Sequence, residues 1–177
     1  MSKLAAFALA AIMLWGCSTE SDTAKEAGGC PSGAALADAA SVTKLRPGGG
    51  KDLTDVIMTA ELAKPEIACD YDKDSGKVDV SLSFPITVRR GPADKGEAQT
   101  LSYFVAIVDL DNNVAGKQTF ARDIAIDQNA ATFNESPGTI SFTVGKDKKP
   151  VGYEVLVGFQ LSQDELAYNR EKHRYIP

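Results

Sequence analysis

The chain reads as an all-β protein, an immunoglobulin-like β-sandwich of about seven strands with a short C-terminal helix; a small β-barrel is the alternative. Three observations carry this expectation. Val78, Val80, Leu82, Phe84, Ile86 and Val88 alternate with mostly polar or charged residues, the period of two that a strand with one buried face requires. The apolar runs are separated by turn-rich breaks, DKDSG at 72–76, DNN at 111–113 and GKDKK at 145–149. No long helical pattern lies between the strands, which argues against a doubly wound α/β fold.

Composition sets the frame. A length of 177 residues suits one domain, and 44% apolar with 24% charged residues is an ordinary globular balance, neither disordered nor membrane-embedded. The 19 basic and 24 acidic side chains give a net charge of -5, a sign that argues against nucleic acid as a partner.

The first element is a leader. Lys3 is followed by an apolar stretch from Leu4 to Trp15, the layout of a secretory signal peptide over residues 1–16. A run of about 12 apolar residues is too short to span a bilayer as a helix, which takes about 20. LWGC, Leu14 to Cys17, resembles the lipobox of bacterial lipoproteins: Leu14 and Gly16 match, and Trp15 is bulkier than the usual residue. The resemblance implies that Cys17 becomes the mature N-terminus and carries acyl chains, each buried methylene contributing about 0.8 kcal/mol to anchoring. An ordinary leader with an incidental Cys17 is the alternative. In lipoproteins of this type an aspartate after the cysteine signals inner-membrane retention, so Ser18 implies the outer membrane.

Residues 17–29 form a polar, small-residue run ending in two glycines, which reads as a tether to a single folded domain over 30–177. About 12 extended residues reach some 40 Å. Cys30 and Cys69 then remain, an even count in an oxidising compartment, and a disulfide between them is expected. The loop it closes would contribute about 4 kcal/mol by the chain-entropy account. Two free thiols or a metal pair are the alternatives, although a zinc site takes about four ligands and the chain has one histidine, His173. No metal or cofactor is expected.

Within the domain, the alanine-rich ALADAASVTKL from Ala35 suggests a short helix stopped by Pro47 and three glycines. Leu101 to Leu110 is apolar on both parities and reads as a central strand, or one covered on its second face. Ile140, Phe142 and Val144 alternate again, as do Tyr153, Val155, Val157, Phe159 and Leu161. Ser162 and Glu165 fit a capping box with Leu161 and Leu166 at the staple positions, so a helix should begin right after Ser162.

Candidate chemistry is sparse. Asp70, Asp72 and Asp74 occupy positions 1, 3 and 5 of a calcium loop, but Ser75 stands where glycine is wanted and Ser81 where a bidentate glutamate is wanted. A solvated hairpin turn explains the run, and the same sandwich end should bring it near Lys146, Lys148 and Lys149 for mutual neutralisation. His173 lies in a polar C-terminal stretch with no nucleophile elbow anywhere in the chain, so Ser-His-Asp and Cys-His chemistry have no support. The basic, aromatic tail suggests a partner-binding surface made of Arg89, Arg90 and the segment carrying Asn169, Arg170, Lys172 and Arg174. Cations at a helix C-terminus are the alternative reading of that tail.

Arg89 and Arg90 followed by Gly91–Ala93, the run YFVAIVD at 103–109, and GFQLSQDELAYNR at 158–170 resemble small uncharacterised lipoproteins of Gram-negative bacteria. The resemblance covers most of the chain from Cys30 on. It implies an envelope location and a compact β domain, and it carries no functional residue. The reading is therefore a lipid-anchored, non-catalytic interaction or assembly-support module on the periplasmic face of the outer membrane, its partners the membrane and an envelope protein. A periplasmic small-ligand binder or hydrolase is the competing class.

Overall fold

The computed structural model describes residues 29–125 and 127–173. The fold is a β-sandwich of two open sheets that face each other across one core, so the barrel alternative does not hold. Among the described residues ten strands are formed rather than about seven: β1 (Ser32–Ala35), β2 (Ser41–Leu45), β3 (Val56–Leu62), β4 (Glu66–Tyr71), β5 (Lys77–Arg90), β6 (Gln99–Asp109), β7 (Val114–Ile124), β8 (Ala130–Glu135), β9 (Thr139–Thr143) and β10 (Tyr153–Phe159). One α-helix, α1 (Gln163–His173), follows.

Two of the extra strands have a simple origin in β5, the 14-residue strand at the centre of the second sheet. Its first half pairs with β4 on one side and β9 on the other, and its second half with β3 and β8. The linkers 63–65 and 136–138 are too short to cross the sheet, so β3 and β4 are two halves of one strand, as are β8 and β9. Leu62 pairs with Ile86 and Ile67 with Leu82, so five steps on the β3–β4 side match four on β5. Each interruption inserts one extra residue, as a β-bulge does. The sheet is effectively four ranks wide, in the order β2, β3/β4, β5, β8/β9. It faces the sheet β1-β10-β6-β7.

Alternation decides which residues fill the space between the sheets. Val78, Val80, Leu82, Phe84, Ile86 and Val88 of β5 are all buried, and they meet Leu101, Tyr103, Val105 and Ile107 of β6 and Val155, Val157 and Phe159 of β10. Strand β6 sits between β10 and β7 and is buried on both parities from Val105 to Val108, as its doubly apolar pattern predicts.

The stretch predicted as a helix from Ala35 is instead a 3-10 turn at Ala37–Ala39 and strand β2. Val42 and Thr43 are buried there, and β-branched residues in a short segment favour a sheet position over an isolated helix too short to sustain itself. Helix α1 begins as the capping box requires. Ser162 Oγ accepts from the Glu165 N–H at 3.2 Å, and Glu165 Oε2 accepts from the Ser162 N–H at 2.7 Å. Lys44 Nζ of β2 reaches Glu165 Oε1 at 2.7 Å, tying the helix start to that strand.

Candidate functional site

A sandwich of two open sheets has four edges, and the chemistry of each follows from what lies against it. The β1 edge is stapled. Cys30, just before β1, is disulfide-bonded to Cys69 of β4, joining the two sheets across a Cα–Cα distance of 5.7 Å. Gly33 of β1 lies so close to Ile67 and Pro65 that a Cβ there would meet the Ile67 side chain at 2.8 Å. The β2 edge is covered by α1. Asn169, only 2% exposed, donates its amide to the carbonyls of Asp38 at 3.0 Å and Ser41 at 2.7 Å, and Arg170 Nε donates to Asp38 Oδ2 at 2.8 Å.

The β8/β9 edge is broken by the interruption at 136–138 and is held by side chains. Thr87 and Thr132 hydroxyls are 2.9 Å apart on the outer face, and Ser141 Oγ donates to Asp79. Beneath this edge Glu135, 8% exposed, accepts from Tyr103 Oη at 2.9 Å and from the Arg122 guanidinium, which also lies 4.5 Å from the centre of the Phe133 ring. Burial, and then the hydrogen bond to Glu135, push the Tyr103 hydroxyl well up from its ordinary value. Phe120 stacks on Tyr103 at 5.2 Å. This cluster, its Tyr103 and Glu135 buried and its Arg122 at the surface, ties β7 to β8.

The fourth edge is β7. It pairs with β6 alone, runs for 11 residues, and is largely exposed from Val114 to Asp123. Gly116, Gln118, Phe120 and Arg122 lie on its inner face, and Lys117, Thr119, Ala121 and Asp123 on its outer face, as their pairing with Ile107, Val105, Tyr103 and Leu101 and with the alternate β6 positions dictates. Lys117 Nζ sits 4.5 Å from the Phe104 ring centre, and Asp123 Oδ1 accepts from Thr100 Oγ1 at 2.6 Å. Among the described residues nothing caps the outward N–H and C=O groups of this strand. An edge of that length is a template for strand addition.

The concave features are poor in reactive groups. One groove, about 450 Å³, lies along the outer face where β4, β5 and the break at 136–138 meet, and Glu66 is its one titratable lining residue. A second, about 370 Å³, is framed by Leu110, Asp111, Lys148 and Val151 at the end of the sandwich where the described chain begins. Among the described residues no three His, Cys, Asp or Glu side chains are grouped as a metal site would need.

The predicted residues are placed as follows. The 72–76 turn, the 111–113 turn and the 145–149 loop do share one end: the Val144 N–H donates to the Gly76 carbonyl at 2.9 Å, and Lys148 Nζ reaches Asp109 Oδ2 at 2.8 Å. The pairing differs from expectation. Lys148 serves Asp109 and Asp111, not the acidic run at 70–74. Asp72 instead folds its own turn, accepting from Ser75 Oγ at 2.6 Å and the Asp74 N–H at 2.9 Å, and this holds its carboxyl below the ordinary value.

The proposed arginine surface does not assemble as one patch. Arg89 and Arg90 lie on β5, two ranks from the β2 edge where α1 docks, and Arg90 is paired with Asp94 at 2.5 Å. Asn169 is a correction outright: it is buried and committed to two backbone carbonyls, because the β2 edge needs a donor there. Arg170 holds Asp38, and Lys172 is exposed. The leader, Cys17, the tether as far as residue 28, and Arg174 lie outside the described residues. Sequence reasoning passed over β7. Its signal was an 11-residue stretch, VAGKQTFARDI, with charges on both parities between two turns, which is the look of an edge strand rather than of a loop.

Comparison with known proteins adds little. No family model and no curated protein matches the chain. Among solved structures it is similar to the variable domain of the AgI/II polypeptide BspA of Streptococcus agalactiae, at 10% identity over 74% of this chain and 78% of that one, with a TM-score of 0.20. A likeness of that size carries no argument about fold or function.

Proposed function

We propose that this chain is a lipid-anchored, non-catalytic interaction module of the bacterial envelope, held by Cys17 to the periplasmic face of the outer membrane and contacting a protein through the β7 edge. The observation that carries the interaction half is the contrast between edges. One is stapled by a disulfide, one is covered by a helix and one is broken, while β7 stays long and open. Among the described residues β7 is the longest strand paired on one side only, and an edge of that length has a use, since it otherwise invites aggregation.

The anchoring half is supported by the LWGC stretch, which resembles a lipobox, and by the Cys30–Cys69 disulfide, a bond favoured in the oxidising envelope. Gly29, where the described chain begins, is packed against Val151 at one end of the sandwich, so a tether over 17–29 would leave from that end. Hydrolysis draws no support from the groove along β4 and β5, where Glu66 has no second titratable group to share acid and base roles.

Mass spectrometry of the mature N-terminus from fractionated cells tests the anchor. The expected product starts at Cys17, carries acyl chains and sediments with the outer membrane. A mature chain that is soluble and unacylated would overturn the anchored reading.

A further inference from the structure

We propose that the β7 edge is completed by β7 of a second copy of this chain, antiparallel, about a two-fold axis passing through Phe120. The proposal rests on reading β7 as the interaction edge and adds the identity of its occupant.

Register selects this pairing. Residues directly opposite in an antiparallel pair lie on the same sheet face, so a symmetric β7 pair must be centred on a residue rather than between two. Few centres are then available. A centre at Gln118 sets Lys117 against Thr119, one at Thr119 sets Lys117 against Ala121 and Asp123 against Ala115, and one at Ala121 sets Asp123 against Thr119. A centre at Phe120 sets Lys117 against the second copy's Asp123 and, by symmetry, Asp123 against its Lys117. Both side chains stand on the exposed outer face, so the strand carries its own complement.

The inner face agrees with the same centre. Gln118 meets Arg122, Gly116 meets Ile124, and the two half-buried Phe120 rings, each already stacked on Tyr103, close over one another. No like charges face each other. The isologous pairing joins two four-stranded sheets into one continuous sheet of eight and satisfies the outward backbone groups of both β7 strands. The two-fold also sends the two Gly29 exits to opposite ends of that sheet. A tether of about 12 residues, reaching some 40 Å, lets both copies keep their anchors in one bilayer with the strands lying along it.

The test is sedimentation equilibrium of the full acylated chain in density-matched detergent, for the unaltered protein, Lys117→Asp, Asp123→Lys, and the double variant. At about 100 µM a pair of micromolar affinity is mostly associated, so the unaltered protein should be a dimer. Each single variant sets like charges opposite at two symmetric places and should weaken self-association about tenfold or more. An equimolar mixture of the two single variants should dimerise as the unaltered protein does, and the double variant should regain self-association. Thermal melts confirm that each variant is folded, and the mixture keeps the test valid if the double variant is not. A monomeric unaltered protein, or a dimer indifferent to both single changes, would overturn the proposal. A β7 edge that in cells crosslinks to a different protein would do so too while leaving the reading of β7 as the interaction edge intact.

Discussion

At the residue scale, Asn169 shows how one side chain closes a sheet. Its buried amide supplies donors to two half-buried carbonyls, those of Asp38 in the 3-10 turn and Ser41 at the start of β2. Asn169→Ala should therefore cost about 1–3 kcal/mol in a denaturant titration, more than loss of a surface contact, because a buried side chain and two hydrogen bonds are lost together. Lys148 works at the opposite end. With the Asn113 N–H it holds the Asp109 carboxyl well below its ordinary value of 3.8, and Asp109 in turn raises Lys148 above 10.5. The signs follow. The Asp109 contribution is complete above its unfolded value and is lost as pH falls through its lower folded value; the Lys148 contribution is complete below 10.5 and is lost as pH rises through its higher folded value. Lys148→Ala should thus lose less stability than the unaltered protein does on acidification from pH 5 to about pH 2, the Asn113 contacts preserving the remainder. Chemical melts across that range check it, and parallel acid limbs would contradict the assignment.

At the element scale, the parts that could be read in the sequence are those whose local pattern has one physical meaning. Strand β5 places six apolar residues on one parity, and the Ser162–Glu165 pair forms the reciprocal cap its spacing predicts. Ser162→Ala should cost about 1 kcal/mol and lower the helical signal of α1 in circular dichroism. Other elements were hidden because their cause is not local. Strand β2 lies in an alanine-rich stretch whose helical look is overridden by pairing with β3 and by the helix that covers it. The splits between β3 and β4 and between β8 and β9 come from one-residue mismatches against β5, visible only once the register is known. Strand β7 has only a weak buried parity to betray it, since Phe120 is half-buried and Ile124 buried on its inner face while Gln118 and Arg122 on the same face are exposed. The site was illegible for the same reason. Its value lies in backbone groups left unpaired, and a sequence does not display which groups those are.

At the scale of the whole molecule, the two sheets are held by a shared core and by one covalent tie. The Cys30–Cys69 bridge joins the sheets at the edge opposite β7 and closes the first third of the domain onto β4. Cys69→Ser should lower stability by about 2–5 kcal/mol, with the reduced unaltered protein falling to the same level. A change smaller than about 1 kcal/mol would mean that the core alone fastens this edge. Among the described residues β7 is the longest strand that pairs on one side only, and the Tyr103–Glu135–Arg122 cluster ties it to β8 from its inner face. Pre-ordering of this kind reduces what a partner must spend in conformational entropy to dock.

The central claim is that an anchored domain makes its contact through β7. Photocrosslinking in intact cells tests it most directly, with the reactive group placed at Gln118 on β7 in one strain and at Thr132 on β8 in another, each with and without Cys17→Ala. A discrete adduct at Gln118, absent at Thr132, that fractionates with the outer membrane only when Cys17 is present is the predicted result. An adduct at Thr132 with none at Gln118, or one at Gln118 that stays with the membrane without Cys17, would contradict the account.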